Sequence, residues 1–339
     1  MIDLNTVWFL LIGILIIGYA ILDGFDLGVG VLHLFAHDDN ERRIHMNAIG
    51  PVWDGNEVWL LTGGGALFAA FPIVYATVFS AFYLAFMLLL TALIFRAVFM
   101  EFRGKVGSLR WRRFWDWSFG LGSLLPAVLF GVAIGNILRG IPIDKNGVFT
   151  GSFLDLLNPY ALLLGALSLA MFTMHGAAYM TLKTEGVLRE NMQNWVSKAW
   201  IAFVVLYFLA TLATFFVSPF LFEDSLSNPL FWILFPLLLA AILYIPIAAK
   251  AGECFRTFLA SSVTIACMIG LIGVSLFPRL VPSTTNLAFS LTVYNASSTT
   301  KTLTVMLIIA LIGMPLVIGY TMYIYRVFKG KVVISEESY

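Results

Sequence analysis

The chain has 339 residues, of which 60% are apolar and 12% charged, with a mean hydropathy of +0.92. Such a composition excludes a water-soluble domain of this length and marks a polytopic membrane protein. The net charge of +1 is uninformative as a sum, but the positions of the charges are not.

Nine apolar spans long enough to cross a bilayer are predicted near 6–35, 51–71, 73–99, 113–138, 158–182, 197–220, 229–249, 255–278 and 300–327. Sixteen of the twenty Lys and Arg fall on one side of this arrangement, from Arg42 and Arg43 to Lys329 and Lys331. Arg139, Lys145, Arg279 and Lys301 fall on the other. The positive-inside rule makes the richer side cytoplasmic, with the N-terminus outside and the C-terminus inside. No Lys or Arg precedes Arg42, so the first span reads as a retained helix rather than a cleaved signal.

The first span carries Asp23 and Asp26, roughly 18 and 13 Å from its cytoplasmic end and three residues apart on one helix face. The second span begins "GPVWDGNEVWLLTGGG" and brings Asp54 and Glu57 into its first two turns. Each ionised group costs about 2.5–3.5 kcal/mol at mid-bilayer, so a cluster implies internal partners or a function. Asp54 has two readings, a cap of the helix N-terminus or a proton acceptor, and Glu57 is open in the same way. Arg96, near the inner end of the third span, either snorkels or pairs with these acids. Asp116 lies near the inner start of the fourth. Capping cannot account for Asp23 and Asp26, which lie within the span and are read as a buried partnership or a proton-handling pair.

Spans five to eight contribute His175 as their one notable interior titratable group. A single intramembrane His reads as a hydrogen-bonded packing residue, and no metal ligand is expected, His33, His37 and His45 included. Cys254 and Cys267, about 20 Å apart along a helix, cannot form a disulfide. Trp8, Trp111, Trp115 and Trp117 near span ends suggest an interfacial aromatic belt. The glycines of the first two spans read as sites of close helix packing.

The motifs "DGFDLGVG" (23–30), "ERR" (41–43), "GPVWDGNEVWLLTGGGALFAAFP" (50–72), "FRGKV" (102–106), "WDW" (115–117) and "LFPRLVPS" (276–283) together resemble subunit II of the bacterial cytochrome bd quinol oxidases. The most specific element is Trp53, Asp54, Gly55 and Asn56, followed by Trp59. The resemblance implies an all-α, nine-helix subunit of the bacterial cytoplasmic membrane, a single integral domain over 1–339. Within it, 1–139 forms a first four-helix bundle with the polar cluster, 158–278 a second, and 300–327 a ninth helix. It also implies a related subunit I holding two b-type haems and one d-type haem, with no haem ligand in this chain. The complex oxidises quinol and reduces dioxygen to water. Asp54 is expected on a proton route continued by Glu57, Asp26 and Asp23, while Asp26, Arg96 and Asp116 form a buried polar group. A small single-helix accessory subunit and a structural lipid or quinone belong to the same expectation; a nucleic-acid partner does not. The rival readings are a proton-coupled secondary transporter, which the one-sided polar cluster and the odd number of spans disfavour, and a purely structural partner subunit.

Overall fold

The computed structural model describes residues 3–334; the ends of the predicted domain, 1, 2 and 335–339, lie outside the described residues. Twelve α-helices follow one another: α1 (Leu4–His33), α2 (Asp39–Ile49), α3 (Trp53–Ala70), α4 (Pro72–Ala81), α5 (Tyr83–Phe102), α6 (Leu109–Arg139), α7 (Pro159–Lys183), α8 (Gly186–Val217), α9 (Phe220–Ser225), α10 (Pro229–Lys250), α11 (Cys254–Leu276) and α12 (Thr300–Val327). Among the described residues eight helices are long and apolar enough to cross a membrane: α1, α5, α6, α7, α8, α10, α11 and α12.

The differences from expectation concentrate early in the chain. The second predicted span is α3, 18 residues long, whose first turns are too polar to place it with the eight. The third is broken: α4 ends at Ala81, Phe82 leaves helical geometry with φ −96° and ψ 20° and is buried, and α5 starts at Tyr83. The segment read as an inner loop contains α2, whose Asp38 side chain accepts from the Glu41 backbone N–H at 2.8 Å and so caps the helix. The 279–299 connection carries a small antiparallel pair, β1 (Arg279–Val281) with β2 (Leu291–Thr292).

α7 is the most enclosed of the long helices and packs against α1, α6, α8 and α11. At its crossing with α1 the two backbones touch. A Cβ on Gly28 would collide with the Phe172 carbonyl oxygen and lie 2.9 Å from the Gly176 Cα, so only glycine fits there. α12 lies outside this core, with Ile309, Leu311, Ile312 and Leu316 exposed. It is tied to the rest at both ends. Trp8 Nε1 donates to the Leu303 carbonyl at 2.9 Å, and Tyr325 reaches α3. Trp8 and Trp115 are therefore buried packing residues rather than parts of an aromatic belt, whereas Trp117 is exposed.

Candidate functional site

Four helices bring the first group of polar residues together. Asp23 and Asp26 leave the same face of α1 and are 0% exposed, and Arg96 of α5 is 1% exposed. The Arg96 guanidinium grips Asp23 with both terminal nitrogens, Nη1 donating to Oδ2 at 2.9 Å and Nη2 to Oδ1, and approaches Asp26 Oδ2 at 4.0 Å. The planar fork matches the carboxylate, which is why arginine serves here better than lysine. From α3, Asn56 Nδ2 donates to Asp26 Oδ2 at 2.8 Å and to the Leu22 carbonyl at 3.1 Å. Its Oδ1 accepts from the Tyr325 hydroxyl of α12 at 2.9 Å. Asp26 Oδ1 meets no hydrogen-bond donor. Arg96 thus faces two carboxyls.

The remaining motif residues sit around this group. Asp54 is exposed in the first turn of α3; the helix has no side-chain cap, so the capping reading of Asp54 finds no hydrogen bond. Glu57, one turn on, is half-buried and within electrostatic reach of Asp54, Asp23 and Arg96. The Trp59 ring lies against Gly18 of α1, where any Cβ would collide with it. Trp53 packs on the main core, and Gly55 is exposed with open space beside it.

Asp116 does not join Arg96. The predicted trio of Asp26, Arg96 and Asp116 is divided, because Asp116 faces a second network at the Arg-rich end of the helices. There His33 Nε2 donates to Asp116 Oδ1 at 3.0 Å and Arg103 Nε to the same oxygen at 2.6 Å, while Arg42 Nε lies 3.6 Å from Oδ2. Arg103 also donates to Asp39 Oδ1 at 2.6 Å. Depth within one helix can be counted from sequence, but the level at which it meets its neighbours cannot: Gly122, six residues beyond Asp116, is the α6 residue that packs against Arg96. The sequence therefore does not show the pairing of His33 and Arg103 with Asp116, or of Arg103 with Asp39; its only trace there is the "FRGKV" and "WDW" motifs, which contain Arg103 and Asp116.

His45 of α2 is 0% exposed and lies beside this network, its ring 5.8 Å from that of His33. Burial, together with the nearby His33 and Arg42, pushes its pKa down to about 3 from 6.5. Between those values the unfolded chain binds the extra proton, so stability is full above pH 6.5 and falls as pH drops towards 3. We expect about 2 kcal/mol of loss from this residue between pH 6.5 and 5. Thermal unfolding of the purified complex at the two pH values checks this: His45→Phe should shrink the acid-induced drop, and an equal drop in both proteins would refute it.

His175 packs within the helices with both ring nitrogens engaged. Nε2–H donates to the Ile21 carbonyl at 3.0 Å, which makes Nδ1 the acceptor for the Ser261 hydroxyl at 2.7 Å. Neither nitrogen is available to iron, and the ring is stacked on Phe258. His33 is committed to Asp116 through Nε2, and His37 to Glu41 through Nδ1 at 3.1 Å.

Fold and site together define a polytopic membrane protein that holds compensated charge inside its helices. Comparison with known proteins makes the class specific: the family described as cytochrome bd terminal oxidase subunit II matches residues 4–328, and the chain belongs to it. It is 37% identical to the cytochrome bd-I ubiquinol oxidase subunit 2 of Escherichia coli K12, over 97% of this chain and 95% of that protein. It is 39% identical to the cytochrome bd ubiquinol oxidase subunit 2 of Bacillus subtilis 168, over 99% of each. The fold superposes on a chain of the bd oxidase structure from Geobacillus thermodenitrificans with a TM-score of 0.79 and 16% identity, covering 96% of this chain and 98% of that one. The chain is thus a subunit of a cytochrome bd quinol oxidase, an oxidoreductase complex of the bacterial inner membrane.

Proposed function

We propose that this subunit admits protons from the cytoplasm toward the oxygen-reducing centre of the complex, along Asp54, Glu57, Asp26 and Asp23. The observation that carries the reading is the exposed Asp54 in the first turn of α3, followed one turn on by half-buried Glu57 and, on the neighbouring helix, by a buried carboxyl pair held beside Arg96. Dioxygen reduction consumes protons, and the haem-bearing subunit I, with two b-type haems and one d-type haem, supplies that chemistry and oxidises quinol. This chain's residues take up, hold and pass the proton. Asp26 Oδ1, which has no donor, is the free acceptor within the group, and Arg96 offsets part of the negative charge that the two carboxyls bring together.

The arrangement we favour has nine crossings, α3 among them, with the N-terminus outside and the C-terminus in the cytoplasm. α1 to α6 form one bundle and α7 to α11 the other, with α12 beside them in a single domain. A small single-helix subunit and a bound lipid or quinone are compatible with the exposed apolar flanks of α8 and α12.

The test is Asp54→Asn, which keeps the size but cannot carry a proton on a carboxylate. The complex should assemble with wild-type haem content and lose most of its quinol oxidase turnover, more steeply as pH rises. Poor assembly combined with wild-type turnover and an unchanged pH profile in the surviving complex would make this a purely structural subunit.

A further inference from the structure

Most of the polar ties of α12 to other helices lie at its C-terminal end. Lys183 Nζ, at the end of α7, donates to the Phe328 carbonyl at 2.7 Å. Lys331 Nζ donates to the carbonyls of Thr184 and Thr181 at 2.9 and 3.2 Å, and the Val332 N–H to the Lys183 carbonyl at 2.9 Å. The last carbonyls of a helix lack intrahelical partners, and an ammonium group satisfies both them and the negative end of the dipole. Residues 328–332 are thereby strapped across the end of α7. The strap sets the height of α12, and with it the height of Tyr325, less than one turn before Phe328.

The Tyr325 hydroxyl donates to Asn56 Oδ1 at 2.9 Å, and Asn56 is 1% exposed. The opposite end of the same amide donates to Asp26 Oδ2 and to the Leu22 carbonyl. An amide is a rigid plane with acceptor and donors at fixed angles, so fixing the acceptor end aims the donor end. Without the hydroxyl, a buried carbonyl is left unpaired, and the amide gains by rotating away from its pose. Donation into Oδ1 also polarises the amide and strengthens the N–H bond to Asp26. We infer that Tyr325 is a positioning residue, acting through Asn56 to set the hydrogen bond that governs the carboxyl of Asp26. Its link to turnover rests on the proton-route reading above; its link to Asp26 does not.

The test uses the whole complex carrying Tyr325→Phe, which removes one oxygen. The infrared carboxyl band of Asp26, identified by its loss in Asp26→Asn, should shift in Tyr325→Phe. Turnover should fall about three- to tenfold, the worth of one hydrogen bond, with a pH profile displaced from wild type. An Asp26 band that does not move in assembled Tyr325→Phe complex overturns the inference. A shifted band in Tyr325→Phe together with wild-type turnover and pH profile in Asp26→Asn upholds the positioning role and defeats the proton route instead. Should Tyr325→Phe not assemble, Lys331→Gln, which loosens the strap, carries the same test on the same band: a shift supports the inference and an unmoved band overturns it.

Discussion

Replacing Arg96 with alanine is expected to abolish the accumulation of haem-containing complex. Asp23 and Asp26 are fully buried, and Arg96 is the cation that meets both. Removing it leaves Asp23 without its two-pronged partner and Asp26 without its nearest positive charge, at a cost of about 3–5 kcal/mol. That is a large share of the stability of any domain. Arg96→Lys keeps the charge but not the fork, so it should assemble in reduced amount and melt at lower temperature than wild type. Asp23→Asn in the Arg96→Met background should recover part of the yield, because the strongest unpaired charge is then gone. Yield of haem-containing complex and its thermal midpoint read all four proteins. Wild-type values for Arg96→Ala would mean that the ion pair contributes nothing and that Arg96 merely snorkels.

The second large effect is steric. At Gly28 a single methyl would strike the Phe172 carbonyl of α7, and α7 cannot retreat because its other faces pack on α6, α8 and α11. Gly28→Ala should cost about 3 kcal/mol or more, at the upper end of overpacking penalties, and Gly28→Leu should prevent assembly. Gly13 in the same helix has open space where its Cβ would be, so Gly13→Ala should be tolerated. Equal complex yields for Gly28→Ala and Gly13→Ala would refute the close crossing.

The part of this site that could be read from sequence was the part that obeys helical arithmetic. The three-residue spacing of Asp23 and Asp26 placed both on one face, and the depth of Arg96 made it a candidate partner; the ion pair connects them. Asp116 lies six residues, roughly 9 Å, nearer the Arg-rich end than Gly122, the α6 residue that packs against Arg96, and pairs with His33 and Arg103 instead, because the offset of one helix along another depends on packing that only the folded helices settle. The bond from Tyr325 to Asn56 spans 269 residues and leaves no local trace. α2 is short and polar, so it passed for a loop, and the break at Phe82 carries neither proline nor glycine to announce it.

The bond between Tyr325 and Asn56 also sets a schedule. Asp23, Asp26, Asn56 and Arg96 have all been synthesised by the time residue 96 leaves the ribosome, yet the amide gains its last partner only at residue 325. At ordinary synthesis rates that interval is roughly ten to fifty seconds. During it the nascent chain holds its carboxyls and its arginine with the amide carbonyl unclaimed. A chain truncated before α12 would carry that unfinished site permanently, its buried amide carbonyl never paired.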